Sequence, residues 1–241
     1  MFDPNMTYRT THRVEFYECD LALRMRPAQL LRVLQQVGED QLSAMGLDYE
    51  TLHRDHSMAF LVSRLIMEID RMPHNGEEII LETCPMGDAG SQLFRQTNAL
   101  DGQGKELVRL YTSWTLYDPA AQRVLRPKSF PADLQGGRLD FDPKAFKLKL
   151  QPGQPAGRRP VVYSDLDSNG HMNNAVYLDV ICDLLPLQTL RQQSLWRIHL
   201  AYDHQALPGT DLELFCGREG ECYSITGCQQ DHRCFEAQVN F

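Results

Sequence analysis

The amino-acid sequence predicts an α+β fold built from two copies of one unit, each a long helix wrapped by a curved antiparallel sheet. Three observations carry that expectation. Each half holds one apolar run at helical spacing, with a short strand-like run before it. Four further strand-like runs follow the helix in each half. The segments between those runs are rich in Gly, Asn, Asp and Pro, the turn chemistry that joins antiparallel neighbours. A repeated order of this kind is most simply an internal duplication.

Taken in order, residues 9–16 are strand-like. Residues 27–45 then place Leu30, Leu34, Val37, Gln41 and Met45 on one helix face, with Pro27 suited to a first turn and Gly46 ending the run. Strand-like runs follow at 59–69, 78–84, 92–100 and 106–117. Residues 119–158, rich in Pro, Gly and basic side chains and poor in periodicity, read as a crossing linker. From Arg159 the order returns: a strand to 164, a polar loop, a helix over 175–185 stopped by Pro186, then strands at 196–204, 212–216, 221–227 and 233–241. The expected organisation is an N-terminal unit at 1–118, the linker at 119–158 and a C-terminal unit at 159–241. Two such units bury both helices only if their sheets join or pack together, which is the double (tandem) hotdog architecture.

With 241 residues and 42% hydrophobic content the chain can bury a substantial core. No apolar stretch approaches the roughly 18 to 20 residues of a membrane helix, so no membrane association is expected. The start, Met1-Phe-Asp-Pro-Asn-Met6, has neither a basic nor an apolar leader region, and a cytoplasmic location is the expectation. Of seven cysteines, the last four (Cys216, Cys222, Cys228, Cys234) are six residues apart, a spacing that matches no common zinc or redox pattern, so free thiols are expected. Net charge is −8, yet residues 123–159 hold nine Lys and Arg, from Arg123 through Lys144, Lys147 and Lys149 to Arg159, against three acids. Such a basic strip is either a solvated linker or a steering surface for an anionic partner. The overall acidity argues against nucleic acid.

The most informative stretch is Asp167-Ser-Asn169-Gly-His171-Met-Asn173-Asn174, which sets a carboxylate, an amide and an imidazole at every second position before a helix. In extended backbone these three point to one side. Asp, Asn, Ser and Gly also make ordinary turns, but a turn needs no imidazole. Aligning the two copies sets Asp20 opposite Asp167, with Ala22, Leu23 and Arg24 opposite Asn169, Gly170 and His171. The first copy keeps the acid and lacks the rest, and that asymmetry favours a single functional loop. The aromatic residues Phe94, Tyr111, Trp114 and Tyr117 either line a pocket or fill the first core.

On these residues, together with Leu61-Val-Ser-Arg-Leu65, Arg71-Met-Pro73, Gly76-Glu77, Ser113-Trp-Thr-Leu-Tyr-Asp118 and Tyr177, the chain resembles the acyl-acyl carrier protein (acyl-ACP) thioesterases over nearly its whole length. The resemblance implies a double hotdog, an acyl pocket mainly in the first half, and thioester hydrolysis by the second. It implies catalytic roles for Asp167, Asn169 and His171. The partner it implies is acyl carrier protein bearing its acyl chain on phosphopantetheine. No cofactor and no metal are expected; a homodimer is left open. The family's further glutamate corresponds here to Gln205, in Tyr202-Asp-His-Gln205 before Pro208-Gly209, and an amide can hold a water but cannot take its proton. Asp203 or His204 then stand as substitutes.

Hydrolysis needs an activated water or a carboxylate nucleophile, and stabilisation of the developing oxyanion. Backbone N–H groups at 171–173 are expected to serve the oxyanion, His171 to act as base or donor, and Asn169 to fix the water or carbonyl. Asp167 either orients His171 or attacks directly. Neither a Gly-x-Ser-x-Gly elbow nor a His-Glu-x-x-His zinc motif occurs, and His53 and His56 lack further ligands. The expected function is release of free fatty acid from acyl-ACP. The alternatives are an acyl-CoA or short-chain acyl thioesterase and a non-catalytic acyl-binding protein.

Overall fold

Period-two alternation builds the sheet, and helical spacing builds the stripes that lie in it. The computed structural model describes residues 6–140, 142–148, 150, 153–192 and 196–241. The first half contains β1 (Tyr8–Arg13), α1 (Pro27–Ala44), α2 (Tyr49–His56), β2 (Ala59–Ile69), β3 (Glu78–Ala89), β4 (Gln92–Leu100) and β5 (Glu106–Asp118). The two-residue β6 (Arg123–Val124) follows. The second half contains β7 (Gln154–Pro160), α3 (Val176–Asp183), α4 (Leu187–Gln192), β8 (Trp196–Tyr202), β9 (Asp211–Glu219), β10 (Cys222–Gln229) and β11 (His232–Asn240).

All strands join one antiparallel sheet in the order β1-β3-β4-β5-β2-β8-β11-β10-β9-β7, with β6 paired to β5 alone. The two halves are mirrored about the β2–β8 seam, where Leu65 faces Leu200 and Met67 faces Ile198. Those four side chains are fully buried. α1 starts with Pro27 at its first position, where the missing N–H costs nothing, and buries Leu30, Leu31, Leu34 and Val37 against the sheet. Each such side chain contributes about 1.5–3 kcal/mol of burial. Met45, expected on that face, is instead the exposed residue just past the helix. α1 and α3 touch each other inside the wrap, so both helices share one core.

Four differences from the sequence reading have physical causes. α2 and α4 were not anticipated; they are short, and each buries one residue or none. The strand expected at 159–164 lies earlier, at β7, because Pro155, Gly157 and Pro160 are tolerated on an edge that pairs only with β9, and they erase the alternation. α3 stops at Asp183, with the Cys182 and Ile181 carbonyls closing its last turn. The stretch after β5 is no free linker: Phe130 and Phe146 are buried, and Phe146 stacks on Phe94. Gly136 makes this possible, since a Cβ there would stand 2.8 Å from the Cys84 sulfur. Lys149 of the basic strip lies outside the described residues. Arg123, Arg158 and Arg159 pair with Asp118, Glu213 and Asp165, leaving Arg126, Lys128, Arg138, Lys144 and Lys147 exposed without an ion-pair partner among the described residues. All seven cysteines are free thiols, and no described helix is long and apolar enough to cross a membrane.

Candidate active site

The polar loop between β7 and α3 repeats, bond for bond, the loop between β1 and α1. Asp167 Oδ1 accepts from the N–H of Asn169 (2.8 Å) and, loosely, from that of His171 (3.5 Å). Asp20 Oδ1 accepts from Ala22 (2.7 Å) and Arg24 (3.1 Å). Behind each loop stands a buried carboxylate paired six residues back, Asp165 with Arg159 and Glu18 with His12. Burial alone would raise the Asp165 pKa, but the Arg159 guanidinium and the Val162 N–H bring it below the ordinary value. One acid therefore staples each loop, and that requirement explains why the aspartate occurs in both copies.

The copies differ where chemistry would differ. In the first, Arg24 donates to Asp20 Oδ2 (3.3 Å) and to the Leu190 carbonyl of α4 (2.6 Å), closing that loop with an ion pair. Leu23 sits there at φ 57° where the second copy has Gly170 at φ 78°, a left-handed position at which glycine is unstrained. In the second loop Asp167 Oδ2 and the His171 ring make no hydrogen bond to a described residue, and both line a groove of about 700 Å³. Asn169 and Gln205 open on the same groove. The four residues singled out from the sequence are thus brought to one cavity.

Asp203 and His204 also border it, but Arg233 holds both: its guanidinium reaches Asp203 Oδ2 at 2.6 Å, and its carbonyl accepts from His204 Nδ1 at 2.9 Å. The oxyanion expectation at 171–173 needs correction. The Met172 N–H is consumed by the Ala206 carbonyl (3.0 Å) and that of Asn173 by Asp165 (2.8 Å), since the loop needs both bonds to sit on the sheet. The donors left are the loosely held His171 N–H and the Asn174 N–H, for which no described group accepts.

Sequence reasoning missed the groove's other wall, which comes from the first half. Tyr49 of α2 donates its hydroxyl to Asn169 Oδ1 at 3.3 Å and stacks on His53, while Ser63 and Thr115 reach in from β2 and β5. Below the loop, Tyr177 and Tyr202 meet edge to face at 5.3 Å. Tyr202 donates to the Asn174 carbonyl (2.9 Å), and Tyr177 accepts the Ala206 N–H (3.2 Å) beside Gln205. Burial pushes the Tyr177 phenol up to about 12, so it braces the loop as a neutral group. Phe60 borders both this groove and a narrow pocket of about 40 Å³ between α1 and the first half's sheet, a pocket that Phe94 and Trp114 also line. Tyr111 is not part of it: its hydroxyl turns to Asp140 on the outer face. Among the described residues no group of three or more His, Cys, Asp or Glu is arranged to hold a metal ion.

Comparison with known proteins places this geometry in context. The family model for the acyl-ACP thioesterase N-terminal domain matches residues 5–129, and that for the C-terminal domain matches residues 156–238. A palmitoyl-acyl carrier protein thioesterase of Gossypium hirsutum is 23% identical over 70% of this chain and 41% of its own length. An oleoyl-acyl carrier protein thioesterase of Coriandrum sativum is 21% identical over 83% of this chain and 59% of its own. The chain spans about half the length of the curated relatives it matches. The crystal structure of an acyl-ACP thioesterase from Bacteroides thetaiotaomicron superposes with a TM-score of 0.89 at 21% identity, covering 100% of both chains. That of the 12:0-ACP thioesterase from Umbellularia californica gives 0.78 at 15% identity over 98% of this chain and 96% of its own. The likeness establishes the fold, the tandem hotdog expected from the sequence.

Proposed function

The chain belongs to the acyl-ACP thioesterase family, and from that premise we propose that it hydrolyses fatty acyl thioesters of acyl carrier protein to free acid and carrier thiol. The observation that carries this reading is the asymmetry between two otherwise matching loops. The first closes its aspartate with Arg24, whereas the second leaves Asp167 Oδ2 and the His171 ring without a hydrogen-bond partner among the described residues, beside Asn169 and Gln205 in an open groove.

In this reading the thioester carbonyl lies over the start of α3, where the N–H groups of His171 and Asn174 receive the developing negative charge. Asn169, its carbonyl oxygen held by Tyr49, has its NH2 left to donate to the same oxygen or to the water. Gln205 anchors the attacking water. His171 takes the water's proton and returns it to the departing thiolate, and Asp167 Oδ2 stabilises the imidazolium formed in between. Breaking the C–S bond then releases the carboxylic acid and the phosphopantetheine thiol. The acyl chain runs past Phe60 into the first half's pocket. Arg126 and Lys128 stand exposed just beyond the end of β5, whose Tyr117 borders the groove, and suit an acidic carrier.

The test is release of free acid and free thiol from a panel of acyl-ACP and acyl-CoA substrates. Turnover of the carrier-linked panel, abolished by His171→Ala, is expected. Faster turnover of the CoA panel would replace the carrier in this proposal, and no hydrolysis of either would overturn it.

A further inference from the structure

The first half's pocket is lined mainly by apolar side chains, but a cluster of polar groups enters it where a plain hydrocarbon chain would meet only apolar surface. Along β4 the side chains facing α1 include Arg95 and Thr97, and β5 adds Thr112. The Arg95 stem lies 3.4 Å from where a Cβ of Gly38 would stand, so the guanidinium is laid across α1 at its one residue without a side chain. One of its nitrogens, Nη1, bonds Gln41 Oε1 and Thr83 Oγ1. Its Nε and Nη2 have no hydrogen-bond partner among the described residues, and Arg95, only partly buried, lines the pocket. On the facing helix, Gln35 Nε2 is buried with no hydrogen-bond partner among the described residues, and Gln35 borders the same space. Unpaired donors thus converge on one small volume from two elements.

A methylene chain driven against them would keep the guanidinium from water and leave the buried amide unpaired without supplying a single hydrogen bond, a cost of several kcal/mol for a donor left unpaired in apolar surroundings. We propose that this pocket selects acyl chains carrying an acceptor oxygen, a hydroxyl or a ketone, on their distal carbons. The acceptor is neutral rather than a second carboxylate because Glu39, one turn along α1 from Gln35, already borders the pocket and balances the charge of Arg95. Burial lowers the Arg95 pKa to about 10, so the guanidinium is still charged at neutral pH. The two cavities share Phe60 as a common wall: it borders the reaction groove and meets Trp114 edge to face at 6.2 Å, and Thr112, the cross-strand partner of Arg95, is two residues further along β5.

The inference rests on the thioesterase reading but is tested apart from it. Acyl-ACPs from butyryl to palmitoyl are compared with counterparts of equal length bearing a hydroxyl or ketone at the penultimate carbon. At lengths that reach Arg95 the oxygenated chain is expected to have kcat/KM higher by about tenfold or more, as one hydrogen bond to a charged donor supplies. In Arg95→Met the preference falls to unity or reverses, and in Gln35→Leu it shrinks, while butyryl-ACP, too short to reach, reports the integrity of the reaction site. If Arg95→Met does not fold, Gln35→Leu carries the comparison. Equal or better turnover of unsubstituted chains at every length by the unaltered protein overturns the inference and leaves the hydrolysis reading standing. If no thioester is cleaved, the hydrolysis reading fails, and calorimetric binding of the free acids decides. Tighter binding of the oxygenated acids, weakened in Gln35→Leu, upholds the polar selection, and equal or weaker binding overturns it.

Discussion

Asp167 and Asp20 accept the same pair of backbone N–H groups in their two loops, so a change at either removes the same staple. Asp20→Ala and Asp167→Ala should each cost about 1–2 kcal/mol in chemical denaturation, the size of a lost side-chain cap. The amide variants separate staple from chemistry, because asparagine keeps the Oδ1 acceptor. Asp167→Asn should melt near the unaltered protein yet lose most of its kcat, and Asp20→Asn should keep full activity; normal turnover in Asp167→Asn would reduce this aspartate to a turn former. At Gln205 the proposed task is holding water. Gln205→Ala should lower kcat modestly, and Gln205→Glu, which adds a base at about the same volume, should preserve or raise it near neutral pH. An unchanged pH profile in both variants would mean that the side chain only borders the groove. The residues of the second half's loop were legible in the sequence because three residues in a row at period two, Asp167, Asn169 and His171, need no tertiary information. Tyr49 and Ser63 were not, since each meets the groove from more than 100 positions away in the chain and nothing in its own segment marks it. The oxyanion donors were misassigned for a related reason: which N–H groups stay free depends on carbonyls of Asp165 and Ala206 that the loop meets only once folded.

α2 and α4 exchange places across the molecule. α2, from the first half, covers the second half's loop through Tyr49, and α4, from the second, covers the first half's loop through the Leu190 carbonyl on Arg24. Each short helix is therefore a lid for the other copy. Leu52 is the one buried residue of α2 and packs in a cluster with Leu42, Leu93, Leu116 and Phe130. Leu52→Ala should cost about 2–4 kcal/mol and lower kcat although Leu52 is not part of the groove lining, with Leu52→Met restoring both. Full kcat in a folded Leu52→Ala protein would show that α2 does not position Asn169. These helices escaped the sequence reading because an eight-residue segment with one buried side chain has no stripe to detect, even though Asp48 caps α2 by accepting the Thr51 N–H at 2.8 Å. The long strands were legible for the opposite reason. β10 alternates buried and part-exposed residues along its whole length, and β5 offers thirteen residues with turns on both sides. Exposed, Pro-bearing β7 lies between these cases, recognised as a strand but placed several residues late.

One side chain ties the whole molecule together at the seam. His199 of β8 stands opposite Ile66 of β2, and its Nε2 donates to the Phe146 carbonyl of the connecting segment at 2.8 Å, so both halves and the segment between them meet at one imidazole. Burial, opposed by that hydrogen bond and assisted by Arg197 and Arg64, lowers its pKa from 6.5 to about 4. The unfolded chain therefore binds a proton below pH 6.5 that the folded chain refuses until about pH 4. Stability is fully present above pH 6.5 and is lost as the pH falls through that window, by up to about 3 kcal/mol from this group. Carboxylates such as Asp165, held below their ordinary pKa, add their own loss in acid, so the measurement must be a difference. His199→Gln retains a donor for the Phe146 carbonyl but cannot titrate. Denaturation midpoints of the two proteins should converge as the pH is lowered from 7 to about 4, because the unaltered protein loses stability that the variant does not. Parallel curves across that range would mean that the imidazole is already protonated, or wetted, in the fold. The seam would then owe its stability to the leucine and methionine contacts of β2 and β8 alone.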